Sequence, residues 1–193
     1  MSLRWVLRQG IGPDLERLNG LFRKLDVSRL RDYALYLTIQ ARAVFALEYS
    51  ADAAKVAKIL PDWRARCRSE ALAADLAELG LETPAFDRIA GIADPMTALG
   101  AVYWLEATRA GGRLLLLRVA AGEEPRSKQA TAFLRHDAEG RLAASFSEHM
   151  QSIDVGEQQE LAALRGARFA FAAYQQAVAE TLNPERQRRS DVA

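Results

Sequence analysis

The residue types that most often bind metals are scarce in this chain. Its 193 residues include two histidines, His136 and His149, and one cysteine, Cys67. The spacing of the histidines does not match HExxH, and no CxxC pair is present to add thiolates. The sequence therefore predicts no metal site built from these residues, and both histidines are expected at the surface or between helices.

Cys67 is the one residue whose type alone suggests a nucleophile. It lies between Arg66 and Arg68, whose charges would lower the pKa of its thiol if they approached it. The favoured interpretation is an ordinary half-buried thiol in a helix. A single cysteine also excludes an internal disulfide and is typical of a reducing compartment, so a cytoplasmic location is expected.

The segment from Ala98 to Gly122 has the length and apolar content of a long buried helix. Small residues lie in its middle, at Ala107, Ala110, Gly111 and Gly112. Each glycine costs about 1 kcal/mol relative to alanine inside a helix. Such a pair usually marks a kink, or a place where something packs directly on the backbone. A flat ligand and a neighbouring helix are both compatible with the pattern.

Composition restricts the partners that this chain can have. Lys plus Arg (26) nearly balances Asp plus Glu (25), so no overall charge would attract nucleic acid or an anionic membrane. The N-terminus lacks the apolar core of a signal peptide. The longest aliphatic run, Leu114 to Leu117, is far shorter than the roughly 20 residues of a membrane span. Neither nucleic acid nor membrane is expected as a partner.

Apolar residues recur at helical spacing almost everywhere, and no alternating strand pattern is present. This predicts one all-α domain over residues 1–184, with about eight helices and a kinked central helix. The basic tail at 185–193 is expected to be disordered. The predicted helices are approximately 13–25 (opened by Pro13), 28–49, 50–60, 62–79, 98–122, 128–135, 141–152 and 156–182.

Four segments carry recognisable patterns in order. Leu7–Asn19 aligns without a gap with LRxATxxxHxxLD, and Asp75–Gly80 resembles DLxxLG. Tyr33–Glu48 has the spacing of a second long helix, and Leu99–Gly112 resembles LGxxYVLEGSxLGG. Together they cover most of the chain and resemble the heme oxygenases, particularly the bacterial biliverdin-forming kind.

The resemblance implies a fold in which heme lies between the first helix and the kinked central helix. In that family a proximal histidine binds the iron, and the glycine-rich kink brings the distal backbone close to the macrocycle. Hydroxylation of a meso carbon opens the ring to biliverdin, carbon monoxide and iron, with electrons from a reductase or ferredoxin.

The chain departs from the family pattern at the proximal position, which is Leu15. Leucine has no lone pair and cannot bind iron. Asp14 and Glu16 flank it, but their side chains project about 100° to either side on a helix. The family threonine is Ile11 here, which is a second change from polar to apolar.

The distal motif is changed less. Its first glycine is Ala107, Thr108 stands where some members have aspartate, and Gly111 and Gly112 remain. The first candidate for contacting a propionate or another anion is Arg8, seven residues before the proximal position, where family members often place a cation. Arg165 and Arg168, on the last predicted helix, could add positive charge at the opening of the implied heme pocket.

Three functions are compatible with this pattern. The leading hypothesis is a degenerate member that no longer degrades heme and acts as a regulatory or signalling module by binding a protein partner. The second is an active heme oxygenase with a non-standard ligand. The third is a protein that binds heme, biliverdin or another flat molecule without chemistry. No catalytic residue is assigned, heme is a possible cofactor, and a homodimer is compatible with the sequence.

Overall fold

The computed structural model of the protein describes residues 2–182. This range contains ten α-helices, one short 3-10 helix at Val56–Lys58 and no strand. The helix-ending Asn183-Pro184 and the predicted tail at 185–193 lie outside the described residues. The helices are α1 Leu3–Phe22, α2 Leu30–Ala53, α3 Trp63–Arg66, α4 Ser69–Leu79, α5 Pro95–Arg109, α6 Gly112–Ala121, α7 Pro125–Gln129, α8 Ala132–Arg135, α9 Arg141–Ser152 and α10 Glu157–Leu182.

Three long helices, α2, α5 and α10, form the centre of the domain. The closest approach is between α5 and α10. A Cβ atom on Gly100 would overlap the carbonyl oxygen of Ala163, and one on Gly166 would overlap the carbonyl oxygen of Thr97. The two backbones are therefore in direct contact, which leaves room for glycine alone at both positions.

The first helix begins ten residues earlier than Pro13, so the prediction that this proline opens the helix is wrong. Ser2 caps α1 by accepting a hydrogen bond from the backbone N–H of Trp5 at 3.4 Å. Leu7 and Ile11 are buried in the core, whereas Pro13 is exposed. Burial of the apolar stripe outweighs the single backbone hydrogen bond that an internal proline removes.

Buried carboxylates divide two segments that were predicted to be continuous helices. The segment 62–79 is broken between α3 and α4, where Glu48 accepts hydrogen bonds from the N–H groups of Arg68 and Ser69 at 2.8 and 3.0 Å. The segment 128–135 is broken between α7 and α8, where Asp75 accepts from Ala132 and Phe133 at 2.8 and 2.9 Å. Each carboxylate satisfies the free N–H groups at the start of the following helix.

The prediction of a kinked central helix is confirmed. Asp94 caps α5 by accepting hydrogen bonds from the N–H groups of Met96 and Thr97. The helical path breaks at Ala110-Gly111 and resumes as α6. In the part of the chain that the structure describes, no helix combines the length and apolar character needed to cross a membrane.

Candidate functional site at the central kink

A cleft of about 410 Å³ opens beside the kink, between the end of α1, the α2 helix and the α5–α6 junction. This volume lies within the range of small-molecule sites. Of the predicted distal residues, Ala107, Thr108 and Gly111 line the cleft. Gly112 is buried behind it, where a Cβ would lie 3.3 Å from the carbonyl oxygen of Leu134 in α8.

The two glycines of the kink therefore face different surroundings. Gly111 has ordinary right-handed helical backbone angles, and a Cβ there would meet no atom closer than 3.9 Å. A neighbouring helix approaches the backbone at Gly112, whereas Gly111 is open to the cleft. The neighbouring helix that the sequence left open as one alternative is found at Gly112, and the flat ligand remains a prediction for the open side at Gly111.

The inner wall of the cleft is polar. Thr108 donates its hydroxyl hydrogen to the carbonyl of Leu105 at 2.8 Å, and the buried Arg68 donates to the same carbonyl at 2.9 Å. Nearby, the Tyr174 hydroxyl donates to Gln40 at 2.9 Å. These bonds fix the side chains of the wall before any ligand arrives.

Tyr36 lines the same cleft, and its side chain is otherwise buried. Complete burial of the side chain raises the pKa of Tyr36 well above its usual value, and the neighbouring Tyr174 adds to the effect. The hydroxyl is therefore held in its protonated form, in which it can donate a hydrogen bond.

Behind the kink lies a buried ion cluster that sequence reasoning missed. Arg109 makes two hydrogen bonds to the Glu106 carboxylate, at 2.9 and 3.1 Å, and a third to the carbonyl oxygen of Arg66 at 2.9 Å. The Arg66 guanidinium in turn binds Asp62 and lies 3.6 Å from Glu106. The one signal in the sequence was the i,i+3 spacing of Glu106 and Arg109.

The histidines lie away from the cleft. Nδ1 of His136 accepts a hydrogen bond from Arg109 at 2.7 Å. Burial lowers the pKa of His136, and the nearby charges of Arg109 and Arg68 lower it further. His149 lies close enough to Asp62 for its charge to lower the pKa of that carboxyl. Neither histidine lines the cleft at the kink.

Leu15 is half-buried and packs against the core, but it does not line the cleft. The two carboxylates beside it are engaged elsewhere. Asp14 pairs with Arg17, and Glu16 pairs with Arg23 at 2.9 Å. The cleft is instead lined by Asn19 and Phe22 of α1, about one and two helical turns beyond Leu15, and by Arg23 directly after the helix.

The three predicted anion-binding arginines, Arg8, Arg165 and Arg168, are exposed, and none lines the cleft. Burial raises the pKa of Tyr103, and the charges of Arg4 and Arg8 oppose that rise, which places Arg8 near this hydroxyl. The arginines at the cleft are Arg23, directly after α1, and Arg118 on α6, neither of which the sequence singled out.

Cys67 is not an activated thiol. Arg66 and Arg68 point away from it, into the ion cluster and toward the kink. Burial raises the pKa of Cys67 to about 12, and the charges of Glu48 and Asp52 act in the same direction. The thiol is half-buried, as the sequence favoured, but Cys67 lies in extended backbone between α3 and α4, so its prediction as a helical residue is wrong.

Comparison with known proteins identifies the fold. No protein-family model and no curated protein sequence matches the chain. A search of solved structures matches it to the NO- and CO-bound heme oxygenase from Neisseria meningitidis, with a TM-score of 0.69 and 22% sequence identity. The match covers 94% of this chain and 92% of the other. The chain therefore has the all-α heme-oxygenase-like fold that the four motifs predicted.

The donor set of the cleft does not fit an iron-ligated heme. None of the residues lining it is histidine, cysteine or methionine. Tyr36 is the one side chain there of a type known to ligate heme iron, and its raised pKa disfavours the phenolate that ligation requires. In the described residues no group of three or more His, Cys, Asp or Glu side chains is arranged to hold a metal.

Proposed function

We propose that this protein is a non-catalytic member of the heme-oxygenase-like fold and that it acts by binding. The observation that carries the proposal is Leu15, an apolar side chain packed against the core at the position aligned with the proximal histidine. No other described residue supplies a substitute, because the nearby carboxylates are paired and both histidines lie outside the cleft.

A hemin titration tests the loss of catalysis. The purified protein is titrated with hemin and then supplied with ascorbate or with ferredoxin and its reductase. The expected result is a visible spectrum without a sharp ligated Soret band and without bile pigment. Formation of biliverdin by the unmodified protein would overturn the proposal. Leu15→His is measured in parallel. A gain of a Soret band in that variant would show that the lack of one ligand at position 15 accounts for the absence of heme ligation in the unmodified protein.

The partner supported best is a protein that docks on α6 beside the cleft. Leu114 and Leu117 are 66% and 63% exposed, which is unusual for leucines one helical turn apart. Arg113 and Arg118 lie on the same short helix and supply its positive charge, whereas Arg23 across the cleft is paired with Glu16. A partner with acidic residues around an apolar ridge complements this surface, whereas a second copy would present the same positive charge.

Matched leucine variants test this docking face. Capture of proteins from lysate of the native cell is compared for the unmodified protein, Leu117→Glu and Leu161→Glu. Leu161 is also exposed, at 43%, but lies on α10. A partner of the α6 face is retained by Leu161→Glu and lost by Leu117→Glu. Equal retention of every captured protein by both variants would contradict the assignment.

A second candidate function is the binding of a flat, anionic molecule such as a tetrapyrrole, and the cleft itself favours it. Phe22 and Tyr36 supply aromatic walls, and Arg118, whose guanidinium lies 3.7 Å from Asp26, can bind a ligand carboxylate. Biliverdin titration followed by visible absorbance tests this function. A saturable shift that is weakened in Arg118→Gln supports it, and an unchanged spectrum at equimolar ligand would exclude it.

A further inference from the structure

A second cavity, separate from the kink, has a lining with a different chemical character. It encloses about 500 Å³ between the end of α2, the α3–α4 junction and the loop that follows α4. Its walls combine three aromatic rings with three carboxylates and one guanidinium. The aromatic rings are Phe45, Tyr49 and Phe86, and the charged side chains are Glu48, Asp52, Glu70 and Arg64.

The aromatic side is preassembled but open to water. The ring of Phe86 lies 5.5 Å from that of Phe45 and 5.9 Å from that of Tyr49, measured between centroids. Tyr49 is 55% exposed and Phe86 is 44% exposed. Aromatic side chains held against one another and yet half exposed are typical of a surface that receives a ligand.

The charged side of the cavity has three carboxylates and one guanidinium, so negative charge exceeds positive charge there. Asp52 accepts a hydrogen bond from the Trp63 indole at 2.8 Å and pairs with Arg64 at 3.0 Å. Glu48 is bound by backbone N–H groups and by Ser69. Glu70 is exposed and has no ion-pair partner in the described part of the chain.

The behaviour of Cys67, which also lines the cavity, is consistent with this negative character. After burial, the largest causes of its raised thiol pKa are the charges of Glu48 and Asp52. A field that opposes the formation of a thiolate also opposes the binding of an anionic ligand and favours a cation.

From the aromatic rings and the unpaired Glu70 around one cavity, we propose that this is a binding site for an organic cation, either a quaternary ammonium or a methylated ammonium group. The faces of Tyr49 and Phe86 attract the cation through their quadrupoles, and they also bury its methyl groups. A metal ion does not fit, because the carboxylates are not grouped as ligands. The source of the cation is either a small free molecule or the modified lysine of another protein.

Isothermal titration with matched ligands tests the charge requirement. Choline is compared with 3,3-dimethyl-1-butanol, which has the same shape without the charge. Choline is expected to bind at least about fivefold more tightly, and its affinity is expected to fall as salt is added. Equal binding of choline and 3,3-dimethyl-1-butanol would overturn the proposal.

Variants of exposed residues test the site without disturbing the core. Tyr49→Leu and Glu70→Gln are each expected to weaken choline about fivefold, whereas Tyr49→Phe retains the ring and the affinity. Glu148→Gln is the control, because Glu148 is an exposed helical glutamate on α9, away from this cavity. An unchanged affinity in both weakening variants, with circular dichroism showing a folded protein, would place the ligand elsewhere and overturn the assignment.

Comparing the affinities of choline and N-acetyl-trimethyllysine methylamide distinguishes a small free cation from the methylated lysine of another protein as the source of the ligand. Tighter binding of choline assigns the site to a free small cation, and tighter binding of the lysine derivative assigns it to a protein side chain. Either result supports a cation site. Failure of both ligands to bind would exclude it.

Discussion

The guanidinium of Arg109 donates a hydrogen bond to Nδ1 of His136 at 2.7 Å. Arginine has no lone pair to accept with, so the imidazole nitrogen must be the acceptor and His136 must be neutral in this arrangement. The same guanidinium holds Glu106 on α5 and the carbonyl of Arg66. One titratable ring is thus joined to the charged cluster that supports the kink.

Acidification is therefore expected to destabilise the protein through His136. Its folded-state pKa is lowered by burial and by Arg109, so the unfolded state binds the proton more readily. The stabilising contribution is complete above the unfolded-state pKa of about 6.5 and is lost as the pH falls through the lower folded-state pKa. Urea unfolding between pH 7.5 and 5.5 measures this loss.

Two glutamine variants separate the contribution of His136 to the pH dependence of stability from the contributions of other titratable groups. His136→Gln keeps an acceptor for Arg109 but does not titrate, so a flatter dependence of the unfolding free energy on pH is expected. His149→Gln, the control, should retain the dependence of the unmodified protein. The same slope in His136→Gln and in the unmodified protein would mean that other groups control the acid response.

At the crossing of α5 and α10, we expect that no residue larger than glycine can replace Gly166. Gly166→Ala would force a methyl group into the carbonyl of Thr97 and is predicted to lower the free energy of unfolding by about 3 kcal/mol. Gly111→Ala is the matched control, since its site is open, and it should change stability by no more than about 1 kcal/mol. Chemical denaturation measures both, and equal losses would contradict the direct backbone contact.

Asp75 is expected to stabilise the fold by capping α8. Asp75→Ala leaves the N–H groups of Ala132 and Phe133 without their acceptor in a buried position, at a cost of about 2 to 3 kcal/mol. Asp75→Asn keeps one oxygen and should cost less. Asp87→Ala, at an exposed position in the loop before α5, is the control for loss of a carboxylate. If both alanine variants have the same unfolding midpoint, the capping role is wrong.

Cys67 is expected to react slowly with alkylating agents. With a thiol pKa of about 12, few molecules carry a thiolate at pH 8, so iodoacetamide should modify the folded protein at least about a hundredfold more slowly than the urea-unfolded chain. Mass spectrometry of timed samples measures the rates. Equal rates before and after unfolding would contradict a raised pKa of the Cys67 thiol.

Apolar spacing and the glycine pair were sufficient to predict the all-α fold and the kink, because both depend on residues close together in sequence. The breaks before α4 and α8 were not predicted, since the carboxylates that cause them, Glu48 and Asp75, lie on other helices. The helix start at Leu3 was missed because Pro13 was taken as a boundary, whereas burial of Leu7 and Ile11 outweighs it.

The cleft was predicted only on its distal side. The motif around Ala107 and Gly111 could be identified in the sequence, but Arg23, Arg118 and Tyr36 belong to no motif and are brought together by the fold alone. The cavity at Tyr49 and Phe86 had no sequence signal, because isolated aromatics at helical spacing are typical of a core. Long-range packing decides which of them remain exposed.

The crossing of α5 and α10, where Gly100 meets Ala163 and Gly166 meets Thr97, imposes its own constraint on this chain. Glycine at these positions is required by the path of the backbone, whatever the domain binds. Residues 15, 107 and 111 are not among those that meet at that crossing. A search for distant members of this architecture should therefore weight the glycines of the α5–α10 crossing and leave position 15 free to vary.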